Sequence, residues 1–558
     1  MTDLNDILQQ AFSEHQAGRL DLAETGYRTV LQQAPATWSA MTLLATIALQ
    51  RGQWSEAVAG FRQSLELNAA QPDALLNLGN ALRELGRAEQ ALACYEQSLA
   101  IQPDFVAAWV NRGNVQRELR QFTAAINSYQ QALARQPDSG DIYNNLGIAC
   151  WEAGLFDAAL QTYDAALQRT PDDASIWHNR GHVLRAKGLY QDALATDQRA
   201  LQLRPGYIEA MLGCGDSLCE MRQYEAGLQY YEHAIAIKPD YADAWWAKAL
   251  TQLQQGDFRN GWRNYEWRWQ LKNRQAELTR YAALRRWIGD ESLQGKNILL
   301  HAEQGFGDAI QFCRYATELL QMGAAVTLEV RPSLVKLMQT LSPKINVVAQ
   351  TANAPLDFDF HCPLMSLPLA LGTTLQTIPA DIPYLHAEAA KQQQWQARLG
   401  AAKCPRIGLV WSGSRTHKGD AARSIPLTQL QPLFKPHLEF HALQTEIRED
   451  DQATLINGLR LVTHLEQLHD FSDTAALISQ MDLIVTVDTS VAHLAGAMGK
   501  AVWVMLPFAA DFRWLLERED SPWYPSMRLF RQTSPCNWQT TILDVENAIE
   551  KHFSVNRD

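Results

Sequence analysis

The sequence predicts a multidomain chain: an all-α superhelix of repeated helix pairs over residues 1–273, then an α/β region with two parallel sheets. Two observations predict this. Prolines recur on a 34-residue grid through the first half, at Pro35, Pro103, Pro137, Pro171, Pro205 and Pro239. After about residue 273 the grid stops, and from residue 296 short apolar runs alternate with helical stretches. The net charge of −12 sets a further bound. A phosphate backbone calls for a basic face, so the charge argues against general nucleic-acid binding.

The repeats carry more than proline. Gly18, Gly52, Gly86, Gly154, Gly188 and Gly256 keep the same period, and Arg120 and Arg222 fill the two gaps. Five residues after each glycine point stands a small residue: Ala23, Ala57, Ala91, Ala125, Ala159, Ala193, Gly227 and Gly261. Four further on come Tyr27, Phe61, Tyr95, Tyr129, Tyr163, Tyr231 and Tyr265, with Asp197 out of pattern. The small residue lets two helices approach, the aromatic fills the space between neighbouring pairs, glycine eases the turn and proline ends the second helix. A period of 34 with this pattern is the tetratricopeptide signature, and eight units cover about residues 2–273. Such units bury their apolar faces only by stacking, which produces a concave wall.

One polar position repeats on the first helix of four units: Asn77, Asn111, Asn145 and Asn179. An amide offers both a donor and an acceptor, which suits a peptide backbone. The alternative is an ordinary solvated asparagine. The row resembles the asparagine ladder in the tetratricopeptide domain of protein O-GlcNAc transferases, where such side chains hold an extended peptide. That resemblance implies an acceptor protein in the groove.

Residues 274–295 form a bridge. Around it Trp262, Tyr265, Trp267, Arg268, Trp269 and Trp287 interleave aromatics with arginine. This pattern either stacks nucleic-acid bases or seals the last repeat against the next domain, and the second use is expected. Strands are predicted at 298–301, 326–330 and 345–349, with helices at 309–321 and 333–341, in a first lobe over 296–390. A proline-rich stretch over 363–383 precedes a second lobe, 391–558. Its predicted strands lie at 406–411, 439–443, 482–487 and 501–506, its helices at 427–434, 474–480 and 491–498. Strand–helix alternation implies parallel sheets covered by helices, hence two Rossmann-like lobes with ligands at the carboxyl ends of strands.

Three strand-end loops carry suitable chemistry. In Glu303-Gln-Gly-Phe-Gly-Asp308, glycines permit close approach, and Asp308 is either a general base or the cap of the following helix. Residues 411–420 hold Ser412, Arg415 and Lys418, with Arg423 just beyond. These cations either meet a diphosphate or make a solvated basic loop. In the third, Asp488, Thr489, Ser490, Val491, Ala492 and His493 run from an apolar strand into a helix whose first amides can hold phosphate. No Walker A, GxGxxG, serine-hydrolase elbow or metal-ligand cluster stands in the sequence, so nothing calls for a bound metal.

The loops resemble those of the bacterial heptosyltransferase-like glycosyltransferases, whose two Rossmann lobes make the GT-B fold. Gly307-Asp308 is similar to that family's Gly-Asp motif. Residues 488–493 are similar to its Asp-Thr-Gly-x-x-His motif, with Ser490 in place of the glycine. The full layout is similar to bacterial tetratricopeptide glycosyltransferases, some of which modify proteins such as flagellin. The run from Asp511 to Pro525 looks characteristic of that group, and its Arg513 and Trp514 either contact the nucleotide or pack. The resemblance implies an inverting, metal-independent protein O-glycosyltransferase with a nucleotide-sugar as donor substrate and no other cofactor. Asp308 would be the base. Arg415 and Lys418 would stabilise the departing nucleotide. Gly307, Ser412, Asp488, Thr489, the amides of Ser490 to Ala492 and His493 would line the donor site.

The compartment expected is the cytoplasm. Asp3 and Asp6 stand where a secretory sequence places basic residues, and no apolar run approaches the roughly 20 residues of a membrane span. The eight cysteines form no CxxC pair and read as reduced thiols.

Overall fold

The computed structural model describes residues 4–351, 357–415, 419–456 and 458–554. The chain forms two compact units, Met1–Gly213 and Cys214–Asp558.

The first unit is built of antiparallel helix pairs, from Leu4–Gln16 with Leu20–Gln33 through to Ala174–Ala186 with Tyr190–Leu203. Helix Ile208–Glu220 carries the chain into the second unit, where Tyr224–Ile237, Ala242–Gln254 and Phe258–Tyr265 complete a run of sixteen helices. The turn glycines have φ between 72° and 84°, and Arg120 and Arg222 occupy the same left-handed region at 59° and 61°. The turn demands that conformation whichever residue is present. The small residues at 23, 57, 91, 125, 159 and 193 are fully buried. So are the aromatics that follow, and the reason is tight: a Cβ added at Gly79, Gly113 or Gly147 would lie 2.5–2.7 Å from the ring of Tyr95, Tyr129 or Tyr163. The prolines do a second task, since Trp109 and Trp177 donate from Nε1 to the carbonyls of Pro103 and Pro171 at 2.8 Å.

Asp197 takes the aromatic position in its repeat and is wholly buried. His178 Nδ1 lies 2.8 Å from one carboxylate oxygen, and Arg185 pairs with the other. Gly181 faces this carboxylate as Gly147 faces Tyr163. An ion-paired cluster thus fills the space an aromatic ring fills elsewhere.

In the second unit, β1 (Asn297–His301), β2 (Ala325–Val330), β3 (Asn346–Ala349) and β4 (Phe360–Pro363) form a parallel sheet in the order β3-β2-β1-β4. A second parallel sheet contains β5 (Arg406–Val410), β6 (Glu439–Ala442), β7 (Leu461–Val462), β8 (Leu483–Val487), β9 (Val502–Leu506) and β10 (Met527–Arg531), ordered β10-β9-β8-β5-β6-β7. Strands β5, β8 and β9 are buried along their whole length, as parallel strands covered on both faces must be.

Several elements differ from expectation. The expected helix over 309–321 is two, Phe306–Phe312 and Tyr315–Gln321. At the break, Arg314 donates to the Pro379 carbonyl at 2.8 Å and the Trp523 carbonyl at 2.6 Å. The expected helix over 333–341 shrinks to Pro332–Leu334 and Val335–Met338, and 427–434 is a 3-10 helix, Leu427–Leu433, containing Pro432. Strands β4, β7 and β10 and helices Ala389–Leu399, Glu449–Ile456 and Gln539–Ser554 were not anticipated.

The aromatic bridge is core. Trp262, Trp269 and Trp287 are buried, and Arg268 donates to both oxygens of Glu303, at 2.9 and 3.1 Å, and to Ser366 Oγ at 2.7 Å. Those three rings are thus core, while Trp267 is half-buried and stacks on Trp245 at 5.4 Å.

Candidate functional site

Each sheet reverses its strand order once, between β1 and β4 in the first and between β5 and β8 in the second. The crevice at the carboxyl end of such a reversal is where open α/β sheets take ligands. All three loops singled out in the sequence lie at these points: residues 303–308 follow β1, 411–423 follow β5, and 488–493 follow β8.

Helix Phe306–Phe312 begins inside the first loop, which puts Asp308 in its first turn. The Gly305 N–H donates to Asp308 Oδ2 at 2.7 Å, so the carboxylate caps the helix. Its Oδ1 is paired with Arg513. Gly307 packs against helix Ser490–Ala497. A Cβ there would come within 2.8 Å of His493 Cδ2 and 3.6 Å of Ser490 Cα. The Gly-Asp loop of one sheet and the helix start of the other are thus in direct contact.

Around the second sheet's switch point, Arg423 donates to the Asp488 carbonyl at 2.9 Å and joins the two loops. Its guanidinium lies over Gly413, where an added Cβ would be 2.5 Å away. Ser412 is buried, its hydroxyl accepting from Gln444 at 3.2 Å. Arg415 is exposed. Lys418 lies outside the described residues. Thr489 is the N-cap of helix Ser490–Ala497, its hydroxyl 3.3 Å from that of Thr486. The Ala492 N–H bonds the Thr489 carbonyl at 3.0 Å, which leaves the Ser490 and Val491 amides as the donors at the helix start.

His493 is buried, shares a 3.1 Å hydrogen bond with the Tyr524 hydroxyl through Nδ1, and stacks on Trp514 at 5.3 Å. Burial, with Arg513, Arg314 and Arg423 nearby, holds its pKa well below the ordinary histidine value, so the ring is neutral. Asp488 moves the other way. Burial and the neighbouring Asp511 carboxylate raise it to about 6, against the pull of Arg423.

Sequence reasoning left Arg513 without a definite role. It donates to Asp511 Oδ1 at 2.6 Å and pairs with Asp308. Burial alone would lower its pKa, but Asp511 and Asp308 hold it above the ordinary arginine value. The segment carrying it is pinned by the last repeat: Trp262 meets Phe512 edge-to-face at 5.7 Å, and Gln254 donates to the Ala510 carbonyl at 2.7 Å. Tyr265 of the same repeat accepts from Gln304 at 2.8 Å, beside the Asp308 loop. The only signal in the sequence was the run from Asp511 to Pro525.

The four repeated asparagines are all half-buried. Asn111 donates to Asn80 at 2.9 Å and Asn179 to Asn144 at 3.0 Å. Two members of the row are thus oriented by neighbouring amides, each keeping its own carbonyl oxygen outside that bond. Among the described residues no group of three or more His, Cys, Asp or Glu is placed to hold a metal, and no helix is long and apolar enough to cross a membrane.

Tetratricopeptide-repeat profiles match residues 8–74 and 110–174, 79–119, and 172–240. Protein FlbA of Caulobacter vibrioides is 26% identical over 326 residues, covering 54% of each chain. The chain thus spans about half the length of that curated relative. Among solved structures, YrrB, a TPR protein with an unusual peptide-binding site, is 25% identical and covers 34% of this chain and 98% of its own, with a TM-score of 0.29. A tetratricopeptide repeat protein from Parabacteroides merdae is 18% identical, covers 45% and 98%, and has a TM-score of 0.37. The N-terminal region of this chain is built of tetratricopeptide repeats.

Proposed function

We propose that the chain is an inverting protein O-glycosyltransferase of GT-B architecture, with its repeats recruiting the acceptor protein. One observation carries the reading: the Gly307-Asp308 loop and the helix start at Ser490, each at the switch point of its own sheet, meet face to face. A donor diphosphate held by the Ser490 and Val491 amides and by Arg423 and Arg415 would present its sugar toward Asp308. The acceptor hydroxyl oxygen attacks the anomeric carbon from the opposite side. Its proton passes to Asp308, the carbon–oxygen bond to the diphosphate breaks, and the nucleoside diphosphate leaves. The neutral His493 ring walls the site through Tyr524 and Trp514. Asn77, Asn111, Asn145 and Asn179 would grip the backbone of an acceptor, flagellin being one protein of the implied class.

A second reading has its own support. Both oxygens of Asp308 are engaged, as helix cap and as ion-pair partner. Together with the repeats, this favours a protein-interaction scaffold whose sheets perform no transfer.

Thermal shifts against UDP, GDP, ADP, CMP and their sugar conjugates separate the two. Ser490→Asp keeps a residue suited to a helix start but repels phosphate. A shift with one nucleotide, abolished in Ser490→Asp, supports the transferase. The same donor should then be consumed by wild type and not by Asp308→Asn. No shift with any nucleotide favours the scaffold.

A further inference from the structure

We propose that Arg513 is a positioning residue that seats the Asp308 carboxylate, so that the base on the first sheet is set by a side chain from the second. The inference rests on the glycosyl-transfer reading for its consequence, but the contact itself does not. Asp308 sits in the loop after β1, and Arg513 in the turn Phe512–Trp514 after β9, 205 residues away. The carboxylate is held at both ends, by the Gly305 amide on Oδ2 and by Arg513 on Oδ1. Each oxygen keeps one lone-pair direction, so a proton can be accepted only along these two fixed directions.

Arg513 is fixed in turn. Asp511 takes its other nitrogen at 2.6 Å and accepts from the Arg513 N–H at 3.0 Å. The guanidinium carbon stands 4.3 Å from the centre of the Phe512 ring, and Trp262 of the last repeat packs on that same ring. Arg513 and Asp308 expose only 10% and 16% of their side chains, so water competes weakly for the pair. A group held to within tenths of an ångström by a packed neighbour is what proton transfer at a defined hydroxyl requires. In the resting chain the base is competent only while the β9 segment is docked on the β1 loop.

The test uses the full chain with Arg513→Ala, Arg513→Lys and Asp511→Asn. Carbodiimide labelling at Asp308, resolved from Glu303 of the same peptide by tandem mass spectrometry, reports how far Asp308 is engaged and needs no donor. Labelling is expected to rise in Arg513→Ala, and to rise by less in Arg513→Lys and in Asp511→Asn. Equal labelling in wild type and Arg513→Ala overturns the proposal. With a nucleotide-sugar that shifts the wild-type melting temperature, release of nucleoside diphosphate to water gives kcat and KM. Arg513→Ala should lose about a hundredfold in kcat, as for a displaced catalytic group, with KM held. Arg513→Lys should recover part of the loss. An unchanged kcat with a raised KM makes Arg513 a donor ligand instead and also overturns the proposal. If no nucleotide-sugar binds wild type, the transferase reading fails, while the labelling still decides the Asp308–Arg513 tie.

Discussion

Asp197→Asn isolates the cluster that replaces an aromatic ring in the repeats. The substitution keeps the side-chain shape and removes the charge. Arg185 then remains beside a neutral amide with 12% of its side chain exposed, while the carboxylate site itself is 0% exposed. Breaking a buried pair by removing one partner costs about 3–5 kcal/mol. The residual water contact of Arg185 places this case at the lower end, about 3 kcal/mol. With a urea dependence of about 2 kcal/mol per molar, the midpoint for the first unit should fall by about 1.5 M. Circular dichroism follows the helices, and hydrogen exchange over 174–213 localises the change. A midpoint within about 0.3 M of wild type would refute the view that the pair holds this repeat together. Replacing Asp197 and Arg185 together with Leu and Met should recover most of the loss, because no buried charge is then left alone.

Gly147→Ala gains about 1 kcal/mol of helix propensity but drives a methyl to 2.6 Å from the buried Tyr163 ring. Overpacking of this kind costs about 1–3 kcal/mol, so a net loss near 1 kcal/mol is expected in urea denaturation. Arg120→Gly relieves a left-handed, exposed arginine and should raise stability by about 1 kcal/mol in the same assay. Burial lowers His361 and His464 to about 4, from an ordinary value of 6.5. Between those values the unfolded chain binds more protons than the folded one, so stability in the second unit should fall as pH drops from 6.5 toward 4. Melting temperature against pH checks this, and His464→Gln should flatten the profile.

The repeats were legible because their determinants are local. A left-handed turn, a small residue and an aromatic recur at fixed spacing, and Arg120 and Arg222 showed their turn role by position alone. The strand-end loops were legible because the apolar runs before them are long and fully buried. Strands β4, β7 and β10 were not, since two to five residues with a proline or flanking arginines carry little pattern. The break before Tyr315 was invisible because its cause is Arg314 reaching carbonyls of distant segments. The Asp308–Arg513 pair was hidden for the same reason: sequence offered base or cap for Asp308, and the fold makes it a cap already bound to an arginine.

The last repeat is walled into the second unit through Trp262, Gln254 and Arg268. This gives the gene a direction of growth. Copies of the 34-residue unit can be gained or lost near the amino terminus without touching these contacts. The final copy is fixed in place, since deleting it would strip the wall from the site at the sheets.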